Sequence, residues 1–201
     1  MSPEGPRPGG RSARVQAAVH AAVCALQAER PRHAITVPLI AQQAGVTPST
    51  VYRRWGDLTE LLADVAAERM RPDAPPTDTG TLHGDLCAYA EQYLEEMSAP
   101  TGRAYLRDVV ASADPGRPAG RCDTYIRAQL EIIVARAQGR GERTPRVGEI
   151  VEQVMAPMMY GILFAVTPIA YPDAVRLVEA ILARSTVLAR STVPAGAHPA
   201  R

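Results

Sequence analysis

The chain of 201 residues contains no lysine, so arginine must do all the cationic work that histidine does not. Aromatic residues are scarce, at 4% with one Phe and one Trp, while alanine is abundant, a balance that favours closely packed helices. The three cysteines, Cys24, Cys87 and Cys122, are too few and too scattered for a disulfide framework or a zinc motif, which points to a reducing compartment. No apolar run approaches the length of a membrane span, and the opening MSPEGPRPGGR lacks the apolar segment of a secretion signal, so the expected location is cytoplasmic, with no membrane partner. Catalytic constellations are also missing. His20 falls on a helix face, His33 in a turn and His198 in the tail, while the adjacent Glu95 and Glu96 point to different sides of a helix, so no enzyme is expected and no cofactor is implied. A net charge of +1 carries no argument for nucleic acid by itself. Its distribution is uneven: residues 1–71 hold nine Arg against six Asp and Glu, and the remainder thirteen against fifteen.

That basic excess coincides with the most structured stretch of the sequence, TVPLIAQQAGVTPSTVYRRW over residues 36–55. Thr36 is placed to cap a short helix with Pro38 in its first turn, where a missing N–H costs little. Ile40, Ala41 and Ala44 give this helix an apolar side, and Gly45 stands where the chain must reverse in a left-handed conformation. Thr47 and Pro48 repeat the cap and first-turn pattern for a second helix, anchored inward by Val51. Ser49, Thr50, Tyr52, Arg53 and Arg54 then project as a polar, basic face. Two short helices at this spacing, with small Ala41 at the crossing and Val46 in the corner, form a helix-turn-helix, whose second helix enters the major groove.

From Thr36 to Leu62, with AGV, then STVYRRW, then ELL, the sequence resembles the TetR family of bacterial transcriptional regulators, strongly over residues 12–71 and weakly beyond. The resemblance implies an all-α protein of about nine helices: an N-terminal three-helix DNA-binding domain followed by a C-terminal helical domain for ligand binding and dimerisation. It also implies a double-stranded DNA operator, a small-molecule effector and repression as the usual outcome. On the head, Thr36, Thr47, Tyr52 and Trp55 are assigned to phosphates, Ser49, Thr50 and Arg53 to base edges, and Pro48 and Arg54 to the same interface. One position departs from the family: Leu58 stands where relatives usually carry a lysine, which moves that phosphate contact to Arg53 or Arg54 or removes it.

Along the chain, residues 1–11 read as a disordered arm in which Arg7 and Arg11 are either a solvated tail or a minor-groove contact. The DNA-binding domain spans 12–71: a first helix from Ser12 to Arg30 with Val15, Val19, Val23 and Leu26 on one face, the helix-turn-helix pair, and a fourth, linking helix capped by Asp57 and carrying Leu61, Leu62 and Val65. PDAPPTDTG, at 72–80, breaks the helices and marks a domain boundary. Residues 81–190 read as five further helices, at 81–98, 102–113, 119–139, 145–167 and 172–190, followed by a loose tail at 191–201.

The last two helices are apolar over a wide arc, which calls for a homodimer that pairs them with their copies; the other reading makes them central core. Pro157 should bend the long helix or orphan a carbonyl, and with Gly161 let it bow around a cavity. Tyr89, Tyr93, Met97, Tyr105, Tyr125, Met155, Met158, Met159, Tyr160 and Phe164 are the candidates to line it, for a mainly apolar ligand, against the plain reading that they are core. No metal site is expected, but the competing sensor would use His83 and Cys87, spaced i, i+4 on one face, with Cys122 nearby.

Overall fold

The computed structural model describes residues 10–112, 118–164 and 167–190, with side chains described as far as 184. Among them are nine helices: α1 (Arg11–Glu29), α2 (Val37–Gln43), α3 (Pro48–Trp55), α4 (Leu58–Arg69), α5 (Leu82–Ser98), α6 (Pro100–Val110), α7 (Pro118–Gly139), α8, and α9 (Tyr171–Arg190). Helix α8 is continuous but not uniform, running Val147–Ile150 as α-helix, Val151–Met155 as π-helix and Ala156–Phe164 as α-helix again. Described residues of Met1–Met70 and Asp108–Gly120 form one compact unit, and those of Arg71–Arg107 and Arg121–Arg201 another. The expected arm at 1–9, the tail at 191–201 and much of the ADPGRPAG loop lie outside the described residues.

The first unit is built by its punctuation. Thr36 Oγ1 accepts from the Leu39 amide at 3.4 Å and Pro38 sits in the first turn of α2, as the sequence suggests. Gly45 has φ of +67° and Gly56 φ of +84°, so both helix stops need a residue without a Cβ penalty. Asp57 caps α4 by accepting from the Glu60 amide at 2.9 Å. These stops let α1–α4 close around Val19, Val23, Leu26, Ile40, Ala41, Val51, Leu61, Leu62 and Val65, with Val46 and Trp55 packed at the margin.

Contrary to the sequence reading, the first unit is not finished at residue 71. The end of α6 returns to it: Asp108, almost fully buried, is held by Arg32 in the turn before α2, with Arg32 Nε donating to Oδ1 at 2.9 Å. Ser112 donates its hydroxyl to Glu60 of α4 at 2.7 Å. Sequence periodicity gave 102–113 to the second domain because a short helix does not declare which core its far end joins.

In the second unit, residues 72–80 are not a bare tether. Pro76 is buried, its carbonyl accepts from Arg136 at 2.7 Å, and the Ala74 carbonyl accepts from Gln129 at 3.3 Å. Thr81 caps α5 through the Gly84 amide at 3.1 Å. The start of α5 is then locked by fully buried Asp85, which accepts from the Thr79 amide at 2.6 Å, the Thr79 hydroxyl at 2.7 Å and Arg140 at 2.9 Å. Burial alone would push the Asp85 carboxyl up, but the Thr79 and Arg140 contacts outweigh it and hold it below the usual carboxylate range. Helix α5 packs against α9 and against the Ala156–Phe164 part of α8.

Pro157 does not appear as a simple kink. The helix widens just before it: Val151–Met155 is π-helical and the Ala156 amide donates to the Val151 carbonyl, five residues back, one of the ways a helix accommodates a proline in its ladder. Gly161 has a packing reason, since a Cβ there would meet Cβ of Ile169 at 2.9 Å.

Candidate nucleic-acid interface

Helix α3 has only eight residues, so its role depends on which side chains the core consumes. Val51 faces inward and is buried, whereas Pro48, Ser49, Tyr52, Arg53 and Arg54 are exposed and Thr50 is half-buried. With Arg11 and Ser12 from the first turn of α1, residues Thr47, Thr50, Arg53 and Arg54 border a concave surface next to the turn at Gly45. Three guanidinium groups and three hydroxyls around one hollow suit an anionic backbone: the arginines supply charge and the hydroxyls adaptable donors.

The individual groups are not equivalent. Thr47 occupies the cap position of α3, but its hydroxyl makes no capping bond; it lies 2.9 Å from Ser49 Oγ and 3.0 Å from Thr50 Oγ1. The expected cap is therefore corrected to a cluster of three hydroxyls on the outer rim. Thr36, also exposed, spends its oxygen on capping α2 and keeps its hydroxyl proton for a partner outside.

Arg54 and Trp55 are turned to the protein itself. Arg54 donates to the Ser12 carbonyl at 3.1 Å, to Ser12 Oγ at 2.7 Å and to Gln16 Oε1, and its guanidinium lies 5.2 Å from the Trp55 ring centre. Trp55 is half-buried and its indole N–H donates to Asp64 Oδ2 at 2.8 Å. An indole has a single donor, so Trp55 has no hydrogen left for a phosphate, and the sequence assignment of that contact is corrected. Asp64 also receives His20 Nε2 at 2.9 Å. Neither Asp64 nor His20 stood out in the sequence. The signal was present: a tryptophan packed at a core margin needs an acceptor, and Asp64 is an acidic residue among the apolar positions of α4.

The residues singled out for a ligand separate into three groups. Tyr93, Met97, Met155 and Met158 are buried, while Tyr89, Tyr105, Tyr125 and Met159 are half-buried. Tyr160 and Phe164 are 65% and 68% exposed, their rings 5.5 Å apart and tilted at 44°, so they do not line an interior cavity. Apolar spacing placed them inside because it does not distinguish a core from an uncovered surface. The Tyr93 hydroxyl and Gln153 Oε1 are buried and have no hydrogen-bond partner among the described residues, a costly state for interior polar atoms. Burial raises the hydroxyls of Tyr93 and Tyr89, with Tyr89 and Cys122 adding to the first and Glu96 to the second, so both remain neutral donors at physiological pH.

The thiol alternative is weakened by its own geometry. His83 is exposed while Cys87 is buried, with Nε2 and Sγ 3.8 Å apart. Burial pushes the Cys87 thiol up, assisted by Glu179 and Glu91, and burial does the same to Cys122, whereas a metal or redox site needs thiolate. No group of three or more His, Cys, Asp or Glu among the described residues is placed to hold a metal ion. No helix among them is long and apolar enough to cross a membrane.

Comparison with known proteins matches residues 20–65 to the family described as bacterial regulatory proteins, tetR family, and residues 76–181 to the tetracyclin repressor-like C-terminal domain. The chain is 34% identical over 106 residues to the HTH-type transcriptional regulator AqdR of Rhodococcus erythropolis, covering 51% of each chain. It is 33% identical over 113 residues to the HTH-type transcriptional regulator Mb1581 of Mycobacterium bovis, covering 54% of this chain and 55% of that one. The matched region thus spans about half the length of these curated relatives. Among solved structures, the TetR family transcription regulator SCO0332 superposes with a TM-score of 0.64 at 22% identity, covering 85% of this chain and 97% of the other. A TetR transcriptional regulator from Rhodococcus sp. RHA1 gives 0.56 at 18% identity, covering 88% and 97%. At those identities the structures speak for the fold alone.

Proposed function

This chain belongs to the TetR family and is a DNA-binding transcriptional regulator, and from that premise we propose that it is a cytoplasmic, non-enzymatic repressor that holds a palindromic operator as a homodimer and leaves it when a small, mainly apolar molecule binds the C-terminal domain. The observation that carries the reading is the outward face of α3, where Ser49, Thr50, Tyr52 and Arg53 stand clear of a core closed behind Val51. Ser49, Thr50 and Arg53 read base edges; Thr36, Thr47 and Tyr52 hold phosphates, with Pro48 setting the start of the helix and Arg54 and Trp55 supporting it.

The exposed pair Tyr160 and Phe164 on α8 supports the dimer, because large apolar side chains in contact on a surface are stabilised when a second copy covers them. A two-fold protein carries two α3 helices, which matches two half-sites about one helical turn apart. Buried Tyr93, Met97, Met155 and Met158, with the unpartnered Tyr93 hydroxyl and Gln153 carbonyl, support an effector with an apolar body and a polar group. Release requires the effector to favour one conformation over the other; a coupling of roughly 1–3 kcal/mol gives about 5–150-fold weaker DNA binding.

The test is selection of bound sequences from a random duplex pool by the purified full chain, followed by salt titration on the winner. A palindrome whose affinity falls steeply with salt is the expected result. Recovery of no enriched sequence from protein shown to be free of extracted small molecules would overturn it.

A further inference from the structure

We propose that Asp64 of α4 is a positioning residue for DNA reading, whose carboxylate clamps Trp55 at the end of α3 and His20 of α1 and thereby sets where the base-reading side chains stand. The proposal rests on the reading of α3 as the recognition helix and says what aims it. A single oxygen, Asp64 Oδ2, lies 2.8 Å from the Trp55 indole nitrogen and 2.9 Å from His20 Nε2. A carboxylate oxygen accepts from the indole N–H, which has no other role, and the same oxygen lies within hydrogen-bond reach of the imidazole. The rings of His20 and Trp55 lie 6.1 Å apart and tilted at 43°, so the three side chains form one contact cluster from three helices. The cluster is partly shielded from water, with the side chains of His20 and Asp64 exposed by 14% and 23%.

The leverage follows from length. Helix α3 spans eight residues, about 12 Å at 1.5 Å per residue, and Gly56 allows the chain to reverse directly behind it. Val51 is its one buried side chain, a single pivot about which a short helix can tilt. The Trp55–Asp64 bond supplies the second fixed point at the far end, and Arg54, bound to Ser12 and Gln16, supplies a third on the α1 side. Three fixed points define an orientation, and Tyr52 and Arg53 lie between the first, Val51, and the other two. Removing the clamp should leave α3 formed but loosely aimed. Base contacts need exact registration, whereas phosphate contacts tolerate displacement, so the loss falls on discrimination.

The test uses full-length protein and the duplex enriched by the wild type from a random pool, with a scrambled duplex of equal length as non-specific competitor. Trp55→Phe keeps a ring and removes the donor; Asp64→Asn keeps shape and one accepting oxygen while removing charge; His20→Gln keeps a side-chain N–H. The ratio of specific to non-specific affinity is measured on the active fraction, at a temperature where melting curves show each variant fully folded. Trp55→Phe and Asp64→Asn should each lower the ratio about tenfold, the scale of one misread base pair, and His20→Gln should restore most of what His20→Ala loses. Affinity for the scrambled duplex should stay within about twofold, and the double variant Trp55→Phe with Asp64→Asn should lose no more than the worse single, because the two act as one unit. Unchanged ratios in the folded variants, or losses that add in the double variant, overturn the proposal while leaving the DNA reading intact. If Asp64→Asn does not fold, Trp55→Phe decides alone. A wild type that enriches no sequence overturns the reading of α3 and this proposal together.

Discussion

Asp85 shows how one buried charge organises a helix start. Its carboxylate is fully covered yet held ionised by Thr79 and Arg140, so its native pKa lies below the value it would have in the unfolded chain. A depressed carboxylate contributes stability that is complete above its unfolded pKa, about 4, and is lost as pH falls through the lowered native value. Thermal midpoints of the wild type should therefore drop below about pH 4, while Asp85→Asn starts lower at neutral pH and changes less on acidification. A melting series from pH 7 to pH 3 checks this; parallel curves for the two proteins would count against it. Glu142 is held below its usual range by the Leu82 amide first and Arg140 second, so Arg140→Met should weaken both carboxylates and reproduce the defect.

At the scale of the element, capping separates positions that look alike in sequence. Asp57 and Thr47 both stand at N-caps, but only Asp57 accepts a backbone amide. Asp57→Ala should cost about 1 kcal/mol, within the usual range for a lost cap, and Thr47→Ala markedly less, read from denaturant midpoints. Gly45→Ala meets no atom within 4 Å, so its expected cost, about 1 kcal/mol or slightly more, is the left-handed backbone alone. Local chemistry of this kind was legible: Thr36 with Pro38, Gly45, Asp57 and the spacing of Val19, Val23 and Leu26 each report on neighbours within one or two turns. The π-helical turn before Pro157 was foreseen only as a disturbance, since sequence marks where a donor is missing but not how the ladder closes around it. Trp55 was misread because a polar tip looks free in sequence until its acceptor, Asp64 on the next helix, is folded against it.

For the whole molecule, the exposed pair on α8 is where the proposed dimer can be tested. Phe164→Glu should place a charge where a second copy is expected to sit, shift the protein toward monomer in sedimentation or light scattering, and weaken binding to a two-half-site duplex by well over tenfold while sparing a single half-site. A dimer that persists with full affinity would assign the pair another partner. Sequence reached the helix count and the two-part organisation because apolar periodicity and a Pro-rich break are strong signals. It could not tell which apolar positions on α8 face inward, because that depends on helices packed from elsewhere in the chain.

The return of α6 to the first unit bears on modularity. Asp108 and Ser112 belong to the DNA-reading unit, yet they are encoded beyond the segment that opens the second one. A chimaeric regulator spliced at residue 71 would carry a head that has lost its ties at Arg32 and Glu60, whatever sensor it was joined to. Transplanting this specificity intact would require the recipient to supply an acid opposite Arg32 and a hydroxyl opposite Glu60, so compatible sensors can be screened for those two positions before any fusion is made.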